Sequence, residues 1–408
     1  MDIYQRKRIP LVIWAVYLAV FSFPLDFTII DGITLFRLIA SLTICLWLIN
    51  ILIDRKGNIY INRVTWFSIF FSLYGLLSVL WATSRQVILE TTMLLLLFIS
   101  LYSITVQLIS TKELFRRLEL SYIYGSTFAG LIAIYSAIFK AIPQVGRVSP
   151  FLHQNLNIFG TTMAIGLLII FHLIWSTKKY SKRLYFLGIG IILFVSLFLS
   201  GSRMAWLSLI VSVIISFTFL KTKYRKKAII YLILIASFGG GCLYLATNLN
   251  FLPKDTINHL LARTSINYSI QDRGAQRLGI WLIGWNMFKD NPIFGIGLQN
   301  FVNVLYDKYS SLTYLVNYRP IGGPHNMYLS VLVELGITGA LIFLLVLIFS
   351  FRYALRCREP SARFMSFTIM NFLAMAGFLA TLQIFPYFWI LLSLSHTCSR
   401  AHYLERKY

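Results

Sequence analysis

Residues 248–326, NLNFLPKDTINHLLARTSINYSIQDRGAQRLGIWLIGWNMFKDNPIFGIGLQNFVNVLYDKYSSLTYLVNYRPIGGPHN, form the longest segment that is not hydrophobic enough to cross a membrane. The sequence on either side alternates between apolar runs and short charged turns. A run of about 20 apolar residues is long enough for a helix to cross a hydrocarbon core of about 30 Å. We therefore predict an all-α polytopic membrane protein whose bundle is interrupted by one large loop.

The composition supports this fold class. Of the 408 residues, 58% are hydrophobic and only 12% are charged, and the mean hydropathy is +0.74. A soluble protein carries roughly twice that charged fraction. The formal charge of +23 would suggest nucleic acid as the partner of a soluble protein, but in a membrane protein basic cytoplasmic turns explain it. We expect membrane lipids and no nucleic acid as partners.

The apolar runs predict about twelve transmembrane helices. Residues 1–247 hold nine of them, residues 248–325 form the large loop with short amphipathic helices, and residues 326–408 hold three more and a tail. The predicted helices lie near 9–25, 33–53, 65–82, 89–109, 119–142, 158–176, 184–199, 204–220, 228–246, 327–351, 364–383 and 386–397.

Lysine and arginine concentrate in every second connection, which predicts the orientation. Such turns face the cytoplasm. Both termini are therefore predicted to be cytoplasmic, and the large loop lies on the opposite side. In a Gram-negative bacterium that side is the periplasm, and the membrane is the inner one.

Within the large loop, the spacing of apolar residues predicts a helix that ends at Asn291-Pro292. Its apolar stripe consists of Leu278, Trp281, Leu282, Trp285 and Phe288. Tryptophan suits a helix at the membrane interface. Arg273 and Arg277 are one turn apart near the start of this helix, so they share a face beside its positive end.

Arginine normally concentrates in cytoplasmic turns and not in turns on the outer side of the membrane. The presence of Arg203 in the outer turn SGSRMAWL therefore needs a separate explanation. It is either a snorkelling anchor or the partner of a phosphate or carboxylate, whose two oxygens its planar fork can pair. Arg277 and Arg273 are either solvated helix residues or further phosphate ligands. Gly295 and Gly297 could let the backbone approach a phosphate.

His325 lies where the loop re-enters the membrane, on the same predicted side as the arginines. Imidazole has an unperturbed pKa of about 6.5 and can take a proton from a hydroxyl near neutral pH. The alternative is a helix-cap or interfacial histidine. Glu334 falls inside an apolar run and needs a partner there, so it either orients a helix or pairs with an arginine.

Two accessory candidates lie in the outer turn GRVSPFLHQNLNIFG. Arg147 could add a third cation to the site, and Asn157 could hydrogen bond a sugar or phosphate. Either residue is equally well explained as an ordinary turn residue.

Together these residues favour group transfer from an anionic leaving group. A glycosidase needs two carboxylic acids that flank the bond, and a metal hydrolase needs a ligand cluster. The pattern indicates neither, so we expect no metal and no cofactor. Arginines would neutralise a leaving diphosphate, and the histidine would deprotonate the attacking hydroxyl. Because the outer face has no nucleotide supply, the expected donor is a diphosphate attached to a polyprenyl lipid.

At these residues the chain resembles bacterial O-antigen ligases, which share a superfamily with O-antigen polymerases. Arg203-Met-Ala-Trp-Leu207 is similar to the R-x3-L element of the ligases, and His325-Asn326, nine residues and Gly336-Ile-Thr-Gly339 resemble their H-[NSQ]-x9-G-x-x-G element. The segment from Arg277 to Phe301 looks like the one that carries their second essential arginine. The resemblance covers most of the chain in topology, and its motifs lie between about 200 and 340.

The resemblance implies a glycosyltransferase-C-like membrane fold and a metal-independent reaction. Polysaccharide would move from undecaprenyl diphosphate to a sugar hydroxyl of lipid A-core in lipopolysaccharide biosynthesis. Arg203 and Arg277 would bind the diphosphate and His325 would activate the acceptor, with Asn326 beside it. Two alternatives stay open: a polymerase that joins lipid-linked repeat units, and a lipid-linked oligosaccharide transporter.

Overall fold

The computed structural model describes residues 10–30, 33–54, 60–139, 147–151, 154–218, 225–226, 229–230, 233–234, 237, 240–241, 244, 275–318, 321–357, 359–380 and 386–404. Most of these residues are helical. In chain order the α-helices are α1 Leu11–Ser22, α2 Leu35–Asp54, α3 Arg63–Leu77, α4 Arg85–Leu108, α5 Lys112–Phe139, α6 Leu156–Ser176, α7 Tyr180–Ser200, α8 Arg203–Phe217, α9 Ala275–Asp290, α10 Phe301–Lys308, α11 Met327–Leu355, α12 Pro360–Gly377 and α13 Pro386–Leu404. One small antiparallel hairpin, β1 Thr28–Ile30 and β2 Ile33–Thr34, joins α1 to α2 and was not predicted.

The all-α multi-pass class is confirmed. In the described part of the chain, seven helices are long and apolar enough to cross a membrane, namely α2 to α7 and α11. The shorter apolar segments Leu11–Leu25 and Arg203–Phe217 occupy the predicted first and eighth spans. The predicted ninth span, near 228–246, is described only in part, so the total of about twelve stays a prediction.

The helices enclose two hydrophobic cores. The larger core fills the bundle, where α6 packs against α7, α8 against α12 and α3 against α11. A smaller core lies under α9 and α10 and includes Ile283, Met287, Phe301 and Leu305. The described part of the large loop is therefore a packed element with apolar contacts of its own.

Polar side chains cap the starts of α11 and α12. The side chain of Asn326 accepts hydrogen bonds from the amides of Tyr328 and Leu329, at 3.0 and 3.1 Å, and so starts α11. This agrees with the predicted start of the tenth span. Glu359 caps α12 with Pro360 at its first position, so this helix begins four residues before the predicted residue 364. A side-chain cap replaces one of the hydrogen bonds that the first turn of a helix lacks.

Candidate active site

Arg147 and Asn157 lie against the turn that precedes Arg203. The Arg147 guanidinium donates from Nε to the carbonyl oxygen of Ser200 at 2.8 Å and from Nη2 to Oδ1 of Asn157 at 3.0 Å. The Ser202 hydroxyl donates to the same Oδ1 at 3.3 Å. The two accessory candidates therefore join the end of α7, the start of α8 and the start of α6, and Arg147 adds its positive charge there.

The turn between α7 and α8 depends on small residues. Gly201 has a φ of 56°, in the left-handed region that glycine adopts without strain. A Cβ on Gly160 would lie 2.6 Å from the Cβ of Ser202, so only glycine lets α6 come this close. The Ser202 hydroxyl also accepts from the amide of Ala205 at 3.3 Å, which makes Arg203 the first residue of α8. Arg203 thus stands at a positive helix end, where anions are stabilised.

Three of the five residues in the predicted apolar stripe of α9 face outward, and another set of side chains faces the core. The buried residues are Ile280, Ile283 and Met287, whereas Leu278, Leu282 and Trp285 are exposed. The helix is apolar on both faces, so the spacing of one stripe did not identify the buried side. Gly279 helps to determine which face of α9 is buried. A Cβ there would lie 2.3 Å from the backbone carbonyl oxygen of Leu315, in the segment after α10.

Arg277 and His325 are brought together by a contact that the sequence does not show. The indole Nε1 of Trp281 donates to the carbonyl oxygen of Pro324 at 3.1 Å, which fixes α9 against the residues before α11. Arg277 is one turn before Trp281 on the same helix. Partial burial and the positive charge of Arg277 both lower the pKa of His325 from its ordinary value of 6.5. At neutral pH His325 is therefore uncharged and can accept a proton.

Arg203 lies at the same end of the bundle as this pair. At the start of α11, the Tyr328 hydroxyl donates to the carbonyl oxygen of Ala374, near the end of α12, at 2.8 Å. Helix α8 packs along α12 in the opposite direction, with the Phe217 ring stacked on that of Phe364 at 5.9 Å. The starts of α8 and α11 are thus close to the end of α12, and we call this end of the bundle the loop face. Arg273 lies outside the described residues.

Residues 292–300 are bonded into a break in α11. Gly336, inside this helix, has a φ of 64° and a ψ of −167°, which interrupts the helical hydrogen bonds. The freed backbone groups pair with the loop. The amides of Ile296 and Gly297 donate to the carbonyl oxygens of Val333 and Glu334 at 3.1 and 2.8 Å. The amide of Ile337 donates to the carbonyl oxygen of Pro292 at 2.9 Å. Backbone groups inside a membrane need such partners.

The same segment is held from its other side by the connection between α3 and α4. The Asn300 side chain, fully buried, accepts from the amide of Ser84 at 2.8 Å and donates to its carbonyl at 3.2 Å. The amide of Leu298 donates to Oγ of Ser78 at 3.0 Å. The segment is therefore fixed between α11 and the α3–α4 connection.

The structure gives Gly295 and Gly297 a different role from the predicted approach to a phosphate. A Cβ on Gly295 would lie 2.4 Å from the carbonyl oxygen of Glu334, and one on Gly297 would lie 2.3 Å from the Cβ of Ala82. Both glycines have positive φ. They permit close contact within the protein, and the approach of their backbone to a phosphate stays a prediction.

Glu334 and Asn326 also have structural partners. Oε2 of the buried Glu334 accepts from the amide of Gln299 at 2.9 Å, and the hydroxyl of Ser330 hydrogen bonds the same carboxyl group. Glu334 thus holds the docked segment, whereas the sequence predicted that it orients a helix or pairs with an arginine. Asn326 caps α11 directly after His325 and so holds the position of the histidine.

Replacing Gly336 with alanine should destabilise this arrangement. The new Cβ would lie 2.2 Å from the carbonyl oxygen of Ile293, and a backbone conformation with φ near 64° and ψ near −167° costs a non-glycine residue about 1–3 kcal/mol. We expect Gly336→Ala to lower the free energy of unfolding by at least that amount, measured by thermal unfolding of the detergent-solubilised protein. Gly188→Ala is the control, because its Cβ meets nothing within 4 Å and alanine favours a helix. Unchanged unfolding of Gly336→Ala would contradict this account of the break.

Sequence reasoning missed Ser200, Ser202 and Trp281 as parts of the site. Ser202 carried a usable signal, since serine directly before an apolar helix is a preferred cap. The hydrogen bonds from Arg147 to Ser200 and from Trp281 to Pro324 had no such sequence signal. Each joins residues that are far apart in the chain, by 53 and 43 positions.

Two comparisons with known proteins give matches to parts of this chain. An uncharacterized protein of Haemophilus influenzae is 25% identical over 234 residues, which cover 55% of this chain and 57% of the relative. The chain thus spans little more than half the length of that relative. The family model described as O-antigen ligase matches residues 188–344, which include Arg203, Arg277 and His325. This segment of the chain is therefore similar to the O-antigen ligase family.

Proposed function

We propose that this chain is a ligase-type glycosyltransferase of the bacterial inner membrane. It moves polysaccharide from undecaprenyl diphosphate to a sugar hydroxyl of lipid A-core on the periplasmic side. The observation that carries the proposal is the placement of Arg277 beside an uncharged His325 at the loop face, where Arg203 starts α8. A base next to fixed cations suits transfer from a diphosphate donor.

His325 is the general base of the proposed reaction. A base must be unprotonated at the working pH and must stand at the membrane surface to meet a lipid-anchored acceptor. The lowered pKa of His325 meets the first condition, and its place just before α11 meets the second. As the acceptor oxygen bonds to the anomeric carbon of the donor sugar, its proton passes to the imidazole.

Arg203 and Arg277 stabilise the leaving group. When the bond between the anomeric carbon and the phosphate oxygen breaks, its electron pair stays on the diphosphate. Guanidinium groups pair two oxygens at once and act best when they are held in place before the charge develops. The Ser202 cap holds the start of α8, and the Trp281 bond holds α9. Arg147 adds a third cation beside the turn.

The direction of attack predicts the stereochemistry. The acceptor hydroxyl approaches the anomeric carbon from the side opposite to the diphosphate, so a single displacement inverts its configuration. The described site residues supply a base and cations for such a step. The proposed reaction uses no nucleotide, because the donor already carries a good leaving group.

The purified full-length protein tests the proposal directly. It is incubated in detergent with undecaprenyl-diphosphate-linked polysaccharide and lipid A-core, with a chelator present and no nucleotide. We expect polysaccharide to become attached to the core, and the product to carry an inverted linkage by NMR.

The same assay separates the alternatives. Growth of the glycan on its carrier, with the core unmodified, would identify a polymerase that joins lipid-linked repeat units. No transfer to either acceptor, with or without added divalent cations, would contradict a glycosyltransferase of either type and return attention to transport.

A further inference from the structure

The end of the bundle opposite the loop face carries a row of arginines, which we call the arginine strip. Its members are Arg63, Arg352, Arg356 and Arg400, from the start of α3, the end of α11 and the end of α13. Helix α11 begins at the loop face and continues for 29 residues, so its last turns lie at the other end of the bundle. None of the four arginines takes part in the proposed reaction, so the strip needs a separate explanation.

The first two arginines share one aromatic ring. The guanidinium carbons of Arg63 and Arg352 lie 5.3 and 5.7 Å from the centre of the Phe349 ring. A cation at the face of a ring is attracted by the negative charge of its π system. Two positive charges from different helices are therefore held close together at the surface of the bundle.

The other two arginines form a second pair beside the first. The guanidinium carbon of Arg356 is 4.5 Å from the centre of the Tyr353 ring, and that of Arg400 is 4.1 Å from the centre of the Tyr60 ring. The hydroxyl groups of these two tyrosines share a hydrogen bond of 3.0 Å. Tyr353 follows Phe349 by one turn of α11, so the two pairs are offset along the helix by about 5.4 Å.

Carboxylates of the described residues do not neutralise this strip. In the described part of the chain, the ion pairs that involve arginine join Arg116 to Glu119 and Arg117 to Glu113. Four guanidinium groups in one strip repel one another, so an anion between them is favourable. Each guanidinium can donate to two oxygens of a phosphate at once. The strip therefore favours a ligand that carries phosphate.

Orientation in the membrane does not by itself explain the arrangement. The charge bias of membrane proteins needs basic residues in a turn, but it needs no fixed position for their side chains. Here rings from α11 and from the segment before α3 hold all four guanidinium groups. Groups that are held in place before a ligand arrives lose less freedom on binding.

The surface beside the strip favours a lipid over a soluble anion. Trp66 is one turn after Arg63 on α3 and is 50% exposed. Ile348 is one turn before Arg352 on α11 and is 40% exposed. Both side chains lie deeper in the membrane than the arginines, so acyl chains can lie along them while the head group meets the strip. Clusters of arginine at a membrane surface attract anionic lipids.

We propose that the arginine strip binds an anionic phospholipid with two phosphate groups, a diphosphatidylglycerol. One phosphate meets the pair on Phe349, and the other meets the pair on Tyr353 and Tyr60. A single glycerol joins the two phosphates of such a lipid, so their spacing suits pairs that are one helical turn apart. The inference does not depend on the proposed reaction, because this site lies at the opposite end of the bundle.

Lipids with one and two phosphates test the inference in the purified full-length protein. Native mass spectrometry measures the affinities for tetraoleoyl cardiolipin and for dioleoyl phosphatidylglycerol. We expect the wild type to bind cardiolipin more tightly. Loss of one arginine should weaken cardiolipin binding about fivefold, so Arg63→Gln with Arg352→Gln should weaken it about 25-fold. The double variant keeps the apolar surface and one arginine pair, so it should no longer prefer two phosphates over one.

Arg117→Gln is the matched control for Arg352→Gln. Arg117 lies near the start of α5 at the same end of the bundle, is partly exposed and is already paired with Glu113 at 2.6 Å. Both variants lose one positive charge, but only Arg352→Gln should weaken cardiolipin binding. Equal losses in the two variants would show a general charge effect and overturn the inference. Unchanged cardiolipin binding by the double glutamine variant would also overturn it.

Lysine variants separate recognition from folding. Arg63→Lys with Arg352→Lys keeps both charges but cannot pair two oxygens in a fixed plane, so its cardiolipin affinity should fall between those of the wild type and the glutamine variant. Thermal unfolding without lipid shows whether each variant is folded. If the glutamine variant does not fold, the lysine variant decides, and wild-type affinity in it would overturn the inference.

A soluble competitor distinguishes the lipid from a free anion. Inorganic pyrophosphate carries two phosphates but no acyl chains, so it should not displace cardiolipin from the wild type. Added cardiolipin should raise the unfolding temperature of the wild type, and pyrophosphate should not, because only a ligand that binds the folded protein stabilises it. Displacement of cardiolipin by pyrophosphate would identify a soluble diphosphate as the ligand and overturn the proposal of a lipid.

Discussion

His325→Asn is expected to reduce the transfer rate by about 10²- to 10⁴-fold, the usual contribution of a positioned general base. The reduction should appear in the rate of the chemical step, because asparagine cannot take the proton of the acceptor hydroxyl. Donor binding should be kept, since Arg203 and Arg277 are unchanged. Single-turnover kinetics with excess enzyme separate the two quantities.

Asparagine is a better replacement than alanine for testing the role of the imidazole, because His325 has a φ of 50°. Among residues other than glycine, asparagine adopts this left-handed conformation readily, whereas alanine is strained there. His325→Ala should also abolish transfer while leaving the protein inserted, but part of its effect is local strain. If His325→Asn transferred at the wild-type rate, the histidine would not be the base.

The pH dependence gives a second measure of the same group. Because the folded-state pKa of His325 is below 6.5, the imidazole is uncharged at neutral pH and becomes protonated only as the pH falls through that lower value. Activity should therefore hold at neutral pH and decline as the pH falls through a value below 6.5. An acidic limb centred above 6.5 would show that another group controls the rate.

Arg203→Ala and Arg277→Ala are each expected to lower transfer by about 10²- to 10³-fold, as when a preorganised electrostatic partner of a developing charge is removed. Lysine at either position should restore only part of the activity, because it cannot pair two oxygens in a fixed plane. The matched control is Arg85→Ala. Arg85 is exposed and is the first residue of α4, as Arg203 is of α8.

Arg277 has a second effect that does not depend on substrate. Its charge lowers the pKa of His325, so Arg277→Gln should raise that pKa toward the ordinary value, whereas Arg277→Lys should leave it low. NMR titration of the histidine measures this in the protein without donor. An unchanged pKa in Arg277→Gln would place the two side chains farther apart than the structure does.

The fold class was predictable because the bilayer imposes long apolar runs and charged turns. The start of α11 was predictable as well, since Pro324 and Asn326 carry local signals for a helix boundary. Arg203, Arg277 and His325 could be named because they break the expected charge pattern or stand where the loop re-enters the membrane.

The rest depends on contacts between distant residues. The buried side of α9 could not be read from its spacing, since both faces are apolar. Gly295 and Gly336 are required where residues 292–300 dock into the break in α11. No local sequence pattern indicates that contact. Only the folded chain shows that Gly336, in the motif after His325, lets residues 292–300 pack into the break in α11.

The break in α11 has a consequence for how the protein is assembled during synthesis. Ser78, Ser84 and the segment 292–300 all leave the ribosome before α11 does, so their hydrogen bonds can form first. Helix α11 can then be inserted beside a loop segment that is already in place, and its bend at Gly336 is completed by hydrogen bonds to that segment. The earlier part of the chain thus acts as a template for the last part of the site, and α11 without it would lack the partners that fill its break.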